Sequence, residues 1–365
     1  MVAETSPAGD PFTCWFSECT KASLPLVGGK CASLGELINA GVRVPPGFAV
    51  TTAGYARFMN EGGIAKKVLT RLDGLDESNM EALDTVSDDI RQQIEETPFS
   101  FELEDLIAEH YRKLSMMCCV PAVPVAVRSS GTAEDMPDAS FAGQQDTFLW
   151  IRGVEALLEH IRRCFSSLFT ARAIAYRIKM GYAHDQVAIS VGVQKMANSQ
   201  TAGVMFTLNP ANGDRSTIVI NSSFGFGEAV VSGEVTPDEF SVNKISMEVL
   251  KRTISTKQVY YGIDLENQVS KLFDVPPERQ KIQSLLEEEI IDLAAMGKTI
   301  EQHYGTPMDI EWTVDKDMPA GSNVFILQAR PETVWSSKKA EPVSQGGGTA
   351  LDHIVAAMMA GKKIT

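Results

Sequence analysis

Apolar and polar residues recur along the chain at two different periods, and these periods predict a mixture of helices and strands. Apolar residues at helical spacing predict helices over residues 51–61, 79–96, 102–114, 154–169 and 277–303. Shorter apolar or alternating runs predict strands over residues 187–196, 203–208, 217–221, 239–242 and 249–254. Helices and strands mixed in this way indicate α/β or α+β lobes around a central cleft, and we predict an α+β fold with α/β lobes.

Two further runs, at residues 308–312 and 324–332, alternate at the period of a strand. In the first run, Asp309 and Glu311 project from one face of the strand. In the second, Gln328 and Arg330 share a face. Two carboxylates, an amide and an arginine on neighbouring strands are typical of a site for Mg²⁺ and phosphate. A solvated hairpin face with an ordinary salt bridge is the structural alternative.

The stretch 127–147 is rich in hydroxyl, glycine and amide residues and contains almost nothing that could pack a core. It follows an apolar run that reads as the end of a buried strand. Its glycines allow close approach of the backbone, and Arg128 can bind an oxyanion through two N–H groups. The segment therefore predicts a phosphate-binding loop, with a surface loop around a structural arginine as the alternative. Its candidate ligand residues are Gly131, Thr132, Ser140, Gly143, Gln144, Gln145 and Thr147.

A third candidate for anion binding lies at residues 26–37, where two glycines precede Lys30. Lys30 is predicted to open a helix, and a lysine at a helix N-terminus often accompanies a bound anion. The segment is not a Walker A loop, because Leu24 stands where glycine is needed and Cys31 where a hydroxyl is needed. The sequence Phe224–Glu228 also lacks the third glycine of a dinucleotide fingerprint.

Composition and charge limit the classes of partner. The chain has 365 residues, is 44% hydrophobic and carries a net charge of −14, which argues against nucleic acid and anionic membranes as partners. Its six cysteines show no Cys-x-x-Cys zinc spacing and indicate reduced cytoplasmic thiols. The sequence contains no apolar run near the ~20 residues that a membrane span requires.

Several blocks, taken in order, resemble the N-terminal nucleotide-binding domain of the phosphoenolpyruvate synthase and pyruvate, phosphate dikinase family. This domain has an ATP-grasp fold that is shared with the rifampicin phosphotransferases. The resemblance covers about residues 14 to 336 and rests on these blocks: 27–36, 44–48, 127–147, 167–177, 193–196, 224–228 with 237–240, and 308–312 with 327–333.

The resemblance implies a role for each matching residue. Lys30, Arg128 and Arg330 would contact the phosphates of ATP, and residues 140–147 would form a lid over them. Glu311 and Gln328 would hold Mg²⁺, with Asp309 close by. Gln194, Lys195 and Met196 would form a hinge strand that holds the adenine. Glu228 would lie near the ribose or the edge of the base.

The resemblance also implies a domain organisation and a partner. It predicts one ATP-grasp lobe over residues 1–195, a second over 196–336, and a linker with a short helix over 337–365. Family members pass a phosphoryl group from ATP, cleaved to AMP and phosphate, to a histidine on a downstream domain. Because His353 is misplaced for that role, the histidine is expected on a separate subunit, as in phenylphosphate synthase, which converts phenol to phenylphosphate. The alternatives are a fragment of a phosphoenolpyruvate synthase or antibiotic phosphotransferase, and a non-catalytic ATP-sensing module.

Overall fold

The computed structural model of the protein describes residues 10–61, 63–132, 147–185, 187–264, 266 and 269–335. Four of the predicted ligand residues, Ser140, Gly143, Gln144 and Gln145, lie outside this range, as do the predicted linker and terminal helix at 337–365. The chain divides into two compact units, Met1–Pro331 and Glu332–Thr365. Every helix and strand of the described residues belongs to the first unit.

Helices and strands are interleaved along the whole described chain, which confirms the predicted α+β class. The helices are α1 Leu24–Asn39, α2 Thr52–Glu61, α3 Ile64–Leu72, α4 Met80–Glu96, α5 Phe101–Met117, α6 Val154–Ser166, α7 Ala171–Met180, α8 Glu228–Val231 and α9 Glu287–Tyr304. The strands are β1 Thr13–Trp15, β2 Gly47–Val50, β3 Val125–Gly131, β4 Thr147–Ile151, β5 Ile189–Lys195, β6 Ser199–Phe206, β7 Thr217–Phe224, β8 Asp238–Asn243, β9 Val249–Thr253, β10 Val259–Asp264, β11 Val269–Asp274, β12 Met308–Asp315 and β13 Val324–Pro331.

The strands form three antiparallel sheets. The first sheet has the order β1-β2-β5-β3-β4, and the second has the order β13-β12-β6-β7-β8-β9. The β10–β11 hairpin is a separate two-stranded sheet. The first sheet uses residues up to 195 and the second uses residues from 199 onward. The division of this unit into two lobes at 195/196 stays a prediction, because the two sheets belong to one compact unit.

Helix α1 connects the N-terminal segment to the second sheet. Its apolar face, including Leu34 and Leu37, belongs to the same buried core as Ile310 and Trp312 of β12. The Ser33 hydroxyl donates to the carbonyl of Ala329 in β13 at 2.9 Å. A helix from the first third of the chain is therefore fixed to the strands that carry the predicted metal residues.

Helix α1 is broken at Gly28, which has φ 70° and ψ 173°. A Cβ at this position would lie 2.2 Å from the carbonyl oxygen of Ser130 in β3. The close approach and the positive φ both require glycine. The helix begins at Leu24, earlier than predicted, but the break leaves Lys30 in the first turn of its second segment.

The prediction of one helix over 277–303 was wrong in its first third. Residues 277–286 are irregular, and helix α9 begins at Glu287. Tertiary hydrogen bonds hold this segment, because Asp238 accepts from the N–H and hydroxyl of Ser284, and Gln280 accepts from the N–H of Lys257. The β10–β11 hairpin, which precedes this segment, was not predicted from the sequence.

Candidate nucleotide-binding site

A cavity of about 770 Å³ lies between the first and second sheets. Seven of the predicted site residues line it: Arg128, Thr147, Gln194, Lys195, Met196, Glu228 and Glu311. Lys30 and Gln328 line a small adjoining void, which shares Arg128 and Gln194 with the main cavity. The other predicted residues in the described range, Gly131, Thr132, Asp309 and Arg330, line neither space. The cavity has the size of a small-molecule site.

Arg128 extends from the first sheet to the second. Strand β3 is paired on both sides, with Gly192 of β5 and Thr147 of β4 opposite Arg128, so its backbone is held firmly. Its guanidinium donates to the side-chain oxygen of Gln328 at 2.8 Å and to the Leu327 carbonyl at 3.2 Å. It also lies 3.9 Å from the carboxylate of Glu311. The arginine predicted to bind phosphate therefore meets the residues predicted to bind the metal.

Strands β12 and β13 place the four polar side chains as two facing pairs. Asp309 is opposite Arg330, and Glu311 is opposite Gln328. Burial alternates along the start of β12, with Met308 and Ile310 buried and the two carboxylates half-buried, which confirms the predicted faces. Arg330 donates to Asp309 through Nε and lies 2.8 Å from it through Nη2 as well.

The donor set on these strands suits a hard cation that brings its own phosphates. Asp309, Glu311 and Gln328 supply oxygen ligands, which Mg²⁺ prefers, usually with one or two carboxylates and substrate phosphates. Within the described residues, no group of three or more His, Cys, Asp or Glu side chains is arranged to hold a metal ion. Of these three residues, Glu311 lines the main cavity, and the side-chain oxygen of Gln328 already accepts from Arg128. Glu311 is therefore the ligand with the most direct access to the cavity.

The start of the second segment of α1 contacts the end of β3. The Lys30 ammonium donates to the carbonyl of Ser129 at 3.0 Å, and the Cys31 N–H donates to the Ser130 hydroxyl at 3.3 Å. Burial raises the pKa of the Cys31 thiol to about 11, although Ser130 and the charges of Lys30 and Arg128 act in the opposite direction. The Cys31 thiol is therefore neutral at neutral pH and does not offset the positive charges of Lys30 and Arg128.

The segment predicted to hold the base is fixed within the protein. Strand β5 pairs with β2 and β3, and the N–H groups of Lys195 and Met196 donate to the carbonyls of Pro46 and Pro124. These two N–H groups are therefore engaged, and backbone bonds to a base from this segment would have to use other groups. The Lys195 ammonium donates to Asp315 at 3.0 Å.

Sequence reasoning missed the walls formed by β4 and by the β10–β11 hairpin. Trp150 of β4 lines the cavity and has a φ of 61°, which is rare for an aromatic residue. Tyr261, Val269 and Ser270 of the hairpin also line the cavity, and its carbonyl at Tyr261 accepts from the N–H of Phe226. The apolar run that follows the polar stretch at 127–147 was the available signal for β4.

Comparison with known proteins identifies the class of site. The profile of the family described as "Pyruvate phosphate dikinase, AMP/ATP-binding domain" matches residues 24–347. The chain belongs to this family. As a member of it, the chain has an α+β architecture of the ATP-grasp type, and the cavity between the two sheets is the candidate site for AMP or ATP.

Several relatives of this chain carry names that contain the words phosphoenolpyruvate synthase. A protein named "Probable phosphoenolpyruvate synthase" from Staphylothermus marinus is 44% identical over 354 residues, which are 91% of this chain and 42% of the relative. Its namesake from Methanocaldococcus jannaschii is 44% identical over 93% of this chain and 28% of the relative. A "Phosphoenolpyruvate synthase" from Aeropyrum pernix is 41% identical over 90% of this chain and 43% of the relative. The chain spans less than half the length of these relatives.

No helix among the described residues is both long and apolar enough to cross a membrane.

Proposed function

We propose that the chain binds ATP with Mg²⁺ in the cavity between its sheets and is the ATP-using part of a dikinase-type phosphotransferase of the phosphoenolpyruvate synthase kind. The observation that carries this proposal is the meeting of Arg128 with Glu311 and Gln328 across the cavity. The names of the relatives favour this function over phenylphosphate synthase. The phosphoacceptor is a histidine on another domain or on a partner subunit.

Positioning and charge neutralisation carry most of the chemistry in such a site. Lys30 and Arg128 bind the phosphates. Arg330, which is paired with Asp309, also binds them once phosphate oxygens replace Asp309 as its partner. Mg²⁺, when bound, neutralises phosphate charge. Glu311, with Asp309 and Gln328, would hold it, because these residues provide the oxygen ligands that magnesium needs. Local positive charge is essential here, since the chain as a whole carries −14.

A Glu311→Gln variant tests the proposal, because it keeps the size of the side chain and removes the charge. We expect the wild-type chain to bind ATP more tightly with Mg²⁺ than without it, as measured by calorimetry. In the variant this dependence on Mg²⁺ should fall strongly, and transfer of label from β-labelled ATP to a histidine-bearing partner should be lost. Glu301→Gln, on helix α9 and outside the cavity, is the matched control.

Two outcomes would contradict the proposal. Failure of the wild-type chain to bind ATP would remove the nucleotide site itself. A Glu311→Gln variant that retains both the Mg²⁺ dependence and the transfer would remove Glu311 from the metal site. If ATP binds but no partner accepts a phosphoryl group, and the partner still functions with Glu311→Ala, then a non-catalytic ATP sensor is the better description.

A further inference from the structure

A second ion pair connects the two sheets at the cavity. Lys195 is the last residue of β5 in the first sheet, and Asp315 is the last residue of β12 in the second. The ammonium of Lys195 donates to Asp315 at 3.0 Å and lies 5.9 Å from the ring centre of Phe325. The pair is four residues along β12 from Glu311, which corresponds to about 13 Å of strand.

Both partners of this pair are held by their own sheets. The N–H of Lys195 donates to the Pro46 carbonyl at 2.8 Å in the first sheet. The N–H of Asp315 donates to the Asn323 carbonyl at 2.7 Å, and the Asp315 carboxylate also accepts from the N–H of Asp317 at 3.1 Å. Residues 196–198 lead from the end of β5 to Ser199 of β6, which is opposite Asp315 in β12. The ion pair therefore adds a side-chain constraint on the distance between two strand ends that the backbone already brings close.

Burial makes the partner of Lys195 hard to exchange. The Asp315 side chain is only 1% exposed, and the Lys195 side chain is 20% exposed. A buried carboxylate without a cation is strongly unfavourable, because its lost hydration is not replaced. Lys195 lines the nucleotide cavity, but its charge is committed to Asp315.

We propose that Lys195 is a positioning residue, which fixes the end of β5 to the end of β12 through Asp315 and thereby sets the width of the cavity where the nucleotide is held. This inference rests on the proposed function, since it concerns the same nucleotide site. It assigns Asp315 a part in nucleotide binding although this residue does not line the cavity.

A double-mutant cycle separates positioning from direct contact with the nucleotide. The variants are Lys195→Met, Asp315→Asn and the double variant, and the measurement is the dissociation constant of ATP. We expect each single variant to weaken ATP binding by about tenfold, and the double variant to be no weaker than either single one, because each change breaks the same pair. Lys195→Arg, which keeps the charge, should recover most of the affinity. If Lys195→Met does not fold, the Asp315→Asn and Lys195→Arg variants still test the proposal.

Lys244→Met is the matched control. Lys244 forms an ion pair with Glu301 at 2.8 Å, with side chains that are 14% and 22% exposed, and both residues lie outside the cavity. Its loss should lower the unfolding temperature and leave ATP affinity unchanged. The proposal is overturned if Asp315→Asn binds ATP as the wild type does while Lys195→Met does not, because Lys195 would then contact the nucleotide directly. It is also overturned if the two effects add. Failure of the wild-type chain to bind ATP would instead overturn the proposed function, and this inference with it.

Discussion

Two basic residues of the first sheet reach acidic residues of the second, and they differ in how easily they can change partner. Arg128 lies 3.9 Å from Glu311, whose side chain is 33% exposed. Lys195 lies 3.0 Å from Asp315, whose side chain is 1% exposed. Exchange of a partly hydrated pair for a phosphate costs little, whereas separation of a buried pair leaves a carboxylate without solvent or cation. Arg128 is therefore suited to bind a substrate and Lys195 to maintain the geometry of the cavity.

The largest effect is expected at the exchangeable pair. Arg128→Met should reduce phosphoryl transfer from ATP by about 10²-fold or more, because it removes a positioned cation from the charge that develops on the transferring group. Label transfer from ATP to the histidine-bearing partner measures this effect. Arg152→Met is the control, since Arg152 also lines the cavity but donates through Nε to the Ala122 carbonyl. A loss of similar size in both variants would mean that the effect comes from the total positive charge around the cavity and not from the position of Arg128.

The two pairs also differ in how far the sequence could predict them. Alternation along 308–312 and 324–332 identifies the faces of two strands, and the facing pairs of Asp309 with Arg330 and Glu311 with Gln328 agree with it. No local pattern links Lys195 to Asp315, because the two residues are 120 positions apart and meet only when β12 pairs with β6, which begins shortly after Lys195. The helix predicted over 277–286 was wrong for a related reason, since tertiary bonds from Asp238 and Lys257 determine that segment.

An intermediate effect is expected at the glycine beside Arg128's strand. Gly28→Ala should destabilise the protein by about 1–3 kcal/mol, because its φ is +70° and the new Cβ would lie 2.2 Å from the Ser130 carbonyl oxygen. The clash would displace β3 and α1, which carry the predicted phosphate-binding residues Arg128 and Lys30, so ATP affinity should fall as well. Denaturant unfolding and calorimetry measure the two effects.

Gly41→Ala is the control for Gly28→Ala. Gly41 has a φ of +80°, but no heavy atom lies within 4 Å of a Cβ built there. This variant therefore isolates backbone strain from the steric clash, and it should destabilise less and leave ATP affinity unchanged. Equal losses of stability in the two variants would show that β3 moves aside at little cost. The backbone that carries Arg128 would then be less firmly held than its pairing in the sheet indicates.

The smallest effect is expected where α1, the helix that carries Lys30, contacts α9. His303 Nε2 lies 2.8 Å from the Glu36 carboxylate, which also accepts from the N–H of Lys21. Burial would raise the pKa of Glu36, but these hydrogen bonds outweigh it and lower the pKa below its ordinary value of 4.5. A carboxylate with a lowered pKa stabilises the folded state above its unfolded pKa, and this contribution is lost as the pH falls through the folded pKa.

Glu36→Gln should therefore destabilise the protein by about 1 kcal/mol or less at about pH 7 and by a smaller amount at about pH 3.5. Urea unfolding of both proteins at the two pH values measures the difference. A difference that is the same at both values would assign the effect to packing of α1 rather than to the charge of Glu36. A smaller difference at low pH, with ATP affinity unchanged at neutral pH, would show that this contact supports α1 without setting the geometry of the nucleotide site, in contrast to Lys195 and Asp315.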